Sequence, residues 1–488
     1  MVIESLKYKI LQQFGFAPTQ EQGQALDTFV SFLTDRDPQA VMILRGSAGT
    51  GKTSLSGAIV RTLLQIRQKV MLLAPTGRAA KVFSLGSGAP AYTIHRRIYR
   101  EKAFAGVDGQ FGLNDNLYTD TLFMVDEASM IANMGLGGTT FGSGCLLDDL
   151  VKFVYQGHND RLLLIGDKAQ LPPVGEEESP ALSASVMEGY GLKVYECDLN
   201  EVLRQSQSSG ILYNATLIRQ MITHDAVTGL PLIRFKGFAD IVMMPGAELV
   251  ESLGDSYHHV GLDETMVITR SNKRANIYNN GVRNMVLDRE EELSSGDMLM
   301  IVKNNYFWTE KEKKESGEGS AGAVPAFLAN GDRAKVLRVS NYIELYGFRF
   351  ATLQLQLPDY DDYEMQVTGM LDTLQSEAPA LTHEQQEELF RQVEEDYQHF
   401  VPLKADRMKS IRQDAYFNAL QIKYAYAVTC HKAQGGQWAH VYVDQGYMTD
   451  DMLTPDYIHW LYTAFTRATD KLFLVNWPKE QTCEPTDL

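Results

Sequence analysis

The chain has 488 residues, with 44% hydrophobic residues, 22% charged residues and a formal net charge of −17. This length predicts roughly two to four domains, and the composition excludes an intrinsically disordered or fibrous protein. The sequence has no run of about 18 apolar residues that could span a membrane, and its N-terminal MVIESLKYKI lacks the long apolar core of a secretory signal. Its four cysteines form no CxxC pair, which argues against a structural zinc and a disulfide framework. We therefore expect a cytoplasmic protein.

Short apolar runs alternate with helical patterns through the first 200 residues. The runs are VMILRG (41–46), VMLLAP (70–75), TLFMVDE (121–127), RLLLIGD (161–167) and LKVYECD (192–198). Near-continuous apolar strands separated by helices are typical of a parallel sheet that is covered on both faces. Because ligands bind at the carboxyl ends of such strands, we expect the polar residues that follow these runs to share one pocket.

A phosphate-binding loop follows the first apolar run, since residues 46–53 are GSAGTGKT and precede an amphipathic helix. In this context the G-x-x-x-x-G-K-[ST] spacing presents backbone N–H groups at a helix N-terminus, which favours a phosphate. Lys52 is expected to bridge the β- and γ-phosphates, and Thr53 to ligate Mg²⁺. The sequence therefore predicts an ATP site whose nucleotide-binding residues are Gly46, Ser47, Ala48, Gly49, Thr50, Gly51, Lys52, Thr53 and Ser54.

Polar residues at the ends of two later runs supply the rest of a hydrolytic site. Asp126 is expected to hold Mg²⁺ and Glu127 to orient and deprotonate the attacking water, as in other P-loop NTPases. In GDKAQLPPV (166–174), Gln170 is predicted to sense the γ-phosphate. The alternative for Gln170 is an ordinary loop at the end of a strand.

The second half of the chain predicts another α/β domain with insertions. Its apolar runs are TMVITRSN (265–272), IKYAYAVT (422–429), AHVYVD (439–444) and KLFLVNW (471–477). Residues 296–368 alternate as in a small antiparallel barrel, and residues 371–418 show the pattern of acidic amphipathic helices. The apolar positions of that helical pattern are Leu389, Phe390, Val393, Tyr397 and Phe400.

Two shorter insertions interrupt the first domain. Residues 97–119 have the aromatic and turn residues of a β-hairpin, and residues 133–144 (NMGLGGTTFGSG) form a glycine-rich stretch without a predicted element.

Further motifs in a fixed order resemble those of superfamily 1B helicases of the RecD/Dda type. Beside the loop and GDKAQLPPV, the matching segments are PTQEQGQAL (18–26), APTGRAAKVF (74–83), TIHRRIY (93–99), MVDEASM (124–130), LNEVLRQ (199–205), AVTCHKAQGGQW (427–438) and LYTAFTRATDKL (461–472). The last two are the most specific, because simple P-loop proteins carry nothing equivalent. The glycine-rich stretch departs from the helix that the family has after MVDEASM.

The resemblance implies an α/β fold with two RecA-like P-loop NTPase core domains, an inserted β-hairpin, an SH3-like β-barrel and a helical arm. The expected boundaries are 1–96 with 120–200 for the first core domain, 97–119 for the hairpin, 201–295 with 419–488 for the second core domain, 296–370 for the barrel and 371–418 for the arm.

The resemblance also implies roles for individual residues. Gln22 is expected to recognise the adenine, and Arg204 and Arg467 to act as arginine fingers from the second core domain, which adds them to the catalytic set of Lys52, Glu127 and Gln170. Phe104 and Phe111 in the hairpin are candidates for strand separation. The positions that correspond to DNA contacts are Thr76, Arg78, His95, Thr429, His431 and Lys432.

The function that these implications predict is an ATP- and Mg²⁺-dependent DNA helicase that moves 5′ to 3′ on single-stranded DNA. Its expected partners are single-stranded DNA, duplex DNA with a 5′ tail, and a single-strand-binding, replication or recombination protein. No association with a membrane is expected. Two alternatives are a RecD-like motor subunit of a recombination nuclease complex and a non-motor P-loop ATPase switch that binds a protein through its acidic helices.

Overall fold

The computed structural model describes residues 2–105, 108–135, 142–202, 208–223, 229–316, 324–325, 327–449 and 452–483. The chain forms two compact units. Unit 1 consists of Met1–Met243, Ala433–Gln437 and Tyr447–Leu488, and unit 2 consists of Met244–Lys432 and Trp438–Gly446. Residues 201–243 and 447–488, which we assigned to the second core domain, lie in unit 1, and the finer domain boundaries stay predictions.

The described residues contain helices and strands that we number in chain order. The helices are α1 Val2–Phe14, α2 Gln20–Leu33, α3 Lys52–Gln65, α4 Gly77–Ser87, α5 Ile94–Ile98, α6 Leu146–Gln156, α7 Ala184–Gly189, α8 Gly210–Thr223, α9 Leu249–His259, α10 Asn272–Gly281, α11 Phe307–Ser316, α12 His383–Gln398, α13 Lys404–Arg412, α14 Cys430–Ala433 and α15 Pro455–Phe465. The strands are β1 Ala40–Gly46, β2 Lys69–Ala74, β3 Ala91–Thr93, β4 Tyr99–Ala105, β5 Asp108–Leu113, β6 Thr121–Val125, β7 Arg161–Gly166, β8 Lys193–Leu199, β9 Ile241–Met244, β10 Thr265–Thr269, β11 Met298–Ile301, β12 Arg333–Leu345, β13 Phe348–Leu357, β14 Tyr363–Met370, β15 Leu420–Tyr424, β16 Ala427–Thr429, β17 Trp438–Asp444 and β18 Ala468–Val475.

A parallel sheet of order β3-β2-β6-β7-β1-β8 forms the centre of unit 1. Alternate residues of β1 enter different cores: Met42 and Leu44 pack with α1, α2 and α3, whereas Val41 and Ile43 pack with α5, α6 and α7. Both faces of the strand are therefore buried, which explains why the central strands are continuous apolar runs. The parallel sheet predicted for the first 200 residues is confirmed.

The hairpin of unit 1 is formed by β4 and β5, whose antiparallel register pairs Tyr99 with Leu113. This confirms the predicted insertion. The side chain of Phe104 lies outside the described residues, and Phe111 packs against the core around α5 and α6. Strand separation by these two residues stays a prediction.

After β6 the chain forms a short 3-10 turn instead of the long helix expected from the family, and α6 begins only at Leu146. The described part of the glycine-rich stretch is fixed by acceptors elsewhere in unit 1. The amides of Asn133 and Met134 donate to Glu176 Oε1 at 2.6 and 2.9 Å, and the amide of Ser143 donates to Asp149 Oδ2 at 3.0 Å.

Unit 2 contains a closed barrel of order β11-β12-β13-β14-β15 and a parallel set in which β10 lies between β16 and β17. The barrel strand β13 alternates in burial, because one face is inside and the other faces outward. The run 422–429, predicted as one strand, is divided between β15, which closes the barrel, and β16. Both strands are buried, so the apolar pattern of the sequence does not show where the barrel strand β15 ends and the parallel strand β16 begins.

The acidic arm is helical and packs on the barrel. Leu389 and Val393 of α12 and Ile411 of α13 are buried against the barrel residues Phe348 and Phe350. Phe400, predicted on the apolar face, is 79% exposed because α12 ends at Gln398. With this arm, the hairpin, the barrel and the parallel strands, the predicted fold class is confirmed.

Within the described ranges, no helix has the length and apolar content that a membrane span requires.

Candidate nucleotide-binding site

The P-loop connects β1 to α3 at the carboxyl edge of the unit 1 sheet, which we call the nucleotide edge. Gly49 and Gly51 have φ of 77° and 80°, a left-handed conformation that side chains with a Cβ rarely adopt. A Cβ on Gly46 would lie 2.8 Å from Lys52 Cγ, so the loop also needs glycine there. The Lys52 ammonium donates to the carbonyl oxygens of Gly46 and Ser47. The loop thus presents amides and an ammonium group suited to phosphate.

Gln22 fixes α2 to the P-loop. Its Nε2 donates to the carbonyl oxygen of Thr50 at 2.9 Å, and its Oε1 accepts the amide of Thr19 at 3.0 Å in a reciprocal N-terminal cap of α2. Both ends of this buried amide are therefore engaged within the protein. Recognition of the adenine by Gln22 stays a prediction.

The two acidic residues predicted for hydrolysis follow β6 at the nucleotide edge. The Glu127 amide donates to Asp126 Oδ1 at 2.9 Å, and Glu127 itself has φ of 52°, which is unusual for a residue with a Cβ. Burial, with the charge of Glu127 adding to it, raises the pKa of Asp126 to about 7. Strained backbone and a perturbed carboxyl together are typical of a functional site.

The oxygen donors at this edge fit a magnesium ion. Thr53 supplies a hydroxyl at the start of α3 and Asp126 a carboxylate, and hard oxygen donors of this kind are those that Mg²⁺ prefers. The surroundings of Asp126 disfavour its ionised form, and a nearby divalent cation would offset that cost. The donor set is therefore compatible with the predicted role.

A buried tyrosine that our sequence interpretation missed joins the P-loop to the end of β7. The Tyr462 hydroxyl, carried by α15, accepts the amide of Ala48 at 2.9 Å and donates to Asp167 Oδ2 at 2.7 Å. Burial raises the pKa of Tyr462 well above its usual value of 10, so the hydroxyl keeps its proton. The residue lies within LYTAFTRATDKL, but nothing in a single sequence separates it from a core aromatic.

Gln170 lies in the loop after β7 with its amide oxygen buried. Among the described residues this Oε1 has no hydrogen-bond partner, which is uncommon for a buried polar atom. The neighbouring Leu171 is held on both sides: its amide donates to Thr463 Oγ1, and its carbonyl accepts Gln434 Nε2, each at 2.7 Å. Segments 433–437 and 455–467 thus contact the nucleotide edge.

The two predicted arginine fingers are placed differently. Arg204 lies outside the described residues. Arg467 is buried in unit 1, where its guanidinium donates to the carbonyl oxygens of Thr463 and Gly436 at 3.1 Å and to Thr466 Oγ1 at 3.2 Å. A third arginine, Arg219 on α8, contacts the P-loop: its Nη1 lies 2.5 Å from Ser47 Oγ. The sequence interpretation did not identify this residue.

The predicted DNA contacts in unit 1 surround the start of α4 and α5. Thr76 caps α4 by accepting the amide of Ala79 at 3.2 Å, and a Cβ on Gly435 would lie 3.1 Å from Thr76 Oγ1. Arg78 donates to the carbonyl oxygen of Gln437. Burial lowers the pKa of His95 to about 4, so its imidazole is neutral near pH 7 and offers hydrogen bonds rather than charge.

The predicted contacts in unit 2 follow β16. Thr429 ends that strand, and His431 and Lys432 lie on α14. Burial lowers the pKa of Lys432 to about 8, and burial together with the charge of Lys432 lowers the pKa of Lys423 to about 8. Lys423 lies inside a strand pattern and was not among the predicted DNA contacts. DNA binding by Thr76, Arg78, His95, Thr429, His431 and Lys432 stays a prediction.

Two family models match the chain. Residues 17–229 match the model described as an AAA domain, and residues 424–475 match the UvrD-like helicase C-terminal domain. The first match contains the whole nucleotide edge and confirms the predicted P-loop NTPase character. The second contains both of the segments that our sequence interpretation singled out as specific.

Relatives with curated sequences are distant. An uncharacterized protein of Methanocaldococcus jannaschii is 33% identical over 168 residues, which is 32% of this chain and 13% of that protein. An uncharacterized protein of Acanthamoeba polyphaga mimivirus is 21% identical over 90% of this chain and 96% of its own length. The ATP-dependent RecD2 DNA helicase of Deinococcus radiodurans is 30% identical over 32% of this chain and 18% of its own length.

Pif1 helicases are among the solved structures that match this chain. A Bacteroides Pif1 helicase in complex with ADP-AlF3 and single-stranded DNA has a TM-score of 0.46 at 14% identity and covers 96% of this chain and 95% of its own. The Candida albicans Pif1 helicase has a TM-score of 0.41 at 17% identity, with coverages of 96% and 97%.

Proposed function

We propose that this chain, a superfamily 1 helicase of the RecD/Dda type by its two family models and its RecD2 relative, is an ATP-dependent DNA helicase. One observation carries this proposal. Segments 433–437 and 455–467, which simple P-loop proteins lack, contact the nucleotide edge through Gln434, Tyr462 and Thr463. A change at the bound nucleotide therefore has a direct mechanical route to the segments that are specific to helicases.

Hydrolysis would proceed through groups of the nucleotide edge together with Arg467. Lys52 and the loop amides bind the β- and γ-phosphates, and Glu127 takes a proton from the attacking water. Gln170 orients that water or the γ-phosphate, and Arg467 stabilises the charge that spreads over the γ-phosphoryl oxygens. Magnesium, held by Thr53 and Asp126, would neutralise phosphate charge when bound.

Translocation would use contacts that hold phosphates without distinguishing bases. Hydroxyls and helix N-termini, such as those at Thr76 and Thr429, bind the DNA backbone and can release it after each step. Arg78, His95, His431 and Lys432 complete the proposed contacts. We further propose 5′ to 3′ movement, loading on a 5′ tail, a single-strand-binding or recombination protein as a partner, and a cytoplasmic location.

The test is ATP hydrolysis and strand unwinding by the purified chain with Lys52→Ala. We expect the variant to lose both activities, because the ammonium that contacts the β- and γ-phosphates is gone. Lys9→Ala, which removes an exposed lysine of α1, is the matched control and should retain both. Substantial DNA-stimulated hydrolysis in the Lys52 variant would sink the proposal.

Polarity and DNA dependence need separate measurements. Unwinding of 5′-tailed and 3′-tailed duplexes should favour the 5′ tail, and a preference for the 3′ tail would overturn the proposed direction. Hydrolysis by the unmodified chain should rise when single-stranded DNA is added. A rate that DNA leaves unchanged would instead indicate the ATPase switch.

A further inference from the structure

Two positively charged side chains meet at Ser47 in the P-loop. Lys52 Nζ donates to the Ser47 carbonyl oxygen at 3.0 Å, and Arg219 Nη1 donates to Ser47 Oγ at 2.5 Å. The lysine belongs to the P-loop itself, whereas the arginine is on α8, 172 residues after the serine it contacts. One residue at the start of the loop therefore bridges an ammonium and a guanidinium.

The position of α8 is fixed by its packing on the loop. Leu212 methyl carbons would lie 3.3 Å from a Cβ on Gly49, and Ile211, Ala215 and Ile218 are buried. Because Leu212 and Arg219 are seven residues apart, they lie on the same face of the helix. The contact that holds Leu212 beside the loop therefore also directs Arg219 toward it.

A bound anion would attract both the ammonium and the guanidinium. The P-loop amides and the N-terminus of α3 favour a phosphate at the same place. A guanidinium is suited to this task because its planar set of donors matches phosphate oxygens in pairs. The charge of Arg219 is also felt by the Tyr462 hydroxyl, which bonds to the Ala48 amide.

We propose that Arg219 binds the γ-phosphate of ATP and stabilises the charge on it during hydrolysis. This inference rests on the proposed function, since it assigns a further catalytic residue to the same site. ADP lacks the phosphate that Arg219 would contact, so the residue would distinguish the nucleotide before hydrolysis from the one after it. Because α8 carries both Arg219 and Leu212, loss of the γ-phosphate would be communicated to that helix.

The experiment compares Arg219→Ala and Arg219→Lys with the unmodified chain and with Arg36→Ala, an exposed arginine that serves as the control. Steady-state hydrolysis gives kcat and KM, and equilibrium titration gives the affinities for ADP and for a non-hydrolysable ATP analogue. Arginines that contact a transferring phosphoryl group contribute about 10³ to 10⁵ in rate. We therefore expect kcat of Arg219→Ala to fall at least about tenfold, with partial recovery in Arg219→Lys, which restores charge but not the paired donors.

The affinities for ADP and for the ATP analogue distinguish a contact with the γ-phosphate from a purely structural role of Arg219 in holding Ser47. A γ-phosphate contact weakens binding of the ATP analogue and leaves binding of ADP unchanged, while the thermal unfolding midpoint stays that of the Arg36 control. Equal weakening of both ligands, or a kcat equal to that of the unmodified chain, would overturn the role of Arg219. If Lys52→Ala is inactive while Arg219→Ala is fully active, only this inference fails and the proposed function stands.

Discussion

The nucleotide edge of unit 1 and the barrel of unit 2 each hold a carboxyl group whose pKa is raised to about 7, mainly by desolvation. Asp332 in the barrel accepts the Tyr360 hydroxyl at 2.6 Å and the Ala329 amide at 2.7 Å on one oxygen. Asp126 lies instead beside Glu127 and within the electrostatic influence of Lys52.

The comparison teaches that a perturbed carboxyl is not by itself a sign of catalysis. At the nucleotide edge the perturbed group adjoins an unusual backbone at Glu127, an ammonium and phosphate-binding amides. In the barrel one oxygen of the perturbed group accepts from a tyrosine and from the main chain, and the other has no hydrogen-bond partner among the described residues. Substitutions at the edge should therefore change turnover, and substitutions in the barrel should change stability.

The largest effect expected at the edge is that of Glu127→Gln. The amide keeps the shape of the side chain but cannot take a proton from water, so kcat for ATP should fall by about 10² to 10⁴. Thermal unfolding should be unchanged. Glu188→Gln, at an exposed position on α7, is the control in the same assays. A Glu127 variant with normal turnover would remove the general base from the proposed mechanism.

In the barrel, the largest effect expected is that of Phe350→Ala. Phe350 is fully buried between the barrel and the arm, and its ring centroid is 5.2 Å from that of Tyr416. Its truncation should lower the free energy of unfolding by about 3 to 5 kcal/mol, measured by denaturant titration. Nucleotide affinity at the unit 1 edge should not change.

Phe400→Ala removes the same side chain from a position that is 79% exposed and should cost less than about 0.5 kcal/mol. Equal losses in the two phenylalanine variants would contradict the packing of the arm on the barrel.

Tyr462→Phe tests the link between the P-loop and β7 by removing one hydroxyl. The Ala48 amide loses its acceptor and Asp167 loses a donor, which should cost on the order of 1 to 3 kcal/mol in stability. We also expect kcat to fall about tenfold, because the loop amides and Asp167 are then less well positioned. Tyr447→Phe, 81% exposed, is the control for both measurements. A Tyr462 variant that loses stability but keeps full turnover would assign the residue a purely structural role.

The last effect is the pH dependence of stability that Asp332 contributes. Since its folded pKa of about 7 lies above the unfolded value near 3.8, the folded state binds the proton more tightly. This stabilisation is complete below about pH 4 and is lost as the pH rises through about 7. Asp332→Asn should flatten the stability profile between pH 4 and 7 by about 4 kcal/mol, measured by denaturant titration across that range. An unchanged slope would show that Asp332 ionises normally in the folded state.

Features that depend on neighbouring residues were predictable. The P-loop, the acidic pair after β6 and the loop containing Gln170 were identified because each is a short pattern next to an apolar strand. The barrel and the arm were predicted from periods of two and 3.6 residues. The end of α12 was not, because the pattern of apolar residues continued to Phe400 while the helix ended at Gln398.

Features that depend on distant contacts were missed. Nothing near Arg219 distinguishes it from a surface arginine of an amphipathic helix, and Tyr462 could equally be a core aromatic. Arg467 was correctly placed in a motif, yet its three bonds to Thr463, Gly436 and Thr466 were not foreseeable.

The phosphate-binding loop at a strand end could be recognised from the sequence alone, because its glycines, its lysine and a helix N-terminus are all within a few consecutive residues. The remote side chains that contact this loop became visible in the folded chain. Tyr462 contacts Ala48 across 414 residues and Arg219 contacts Ser47 across 172. Such pairs arise from the packing of whole helices on the sheet, and that packing is set by the sum of many buried contacts rather than by any local pattern.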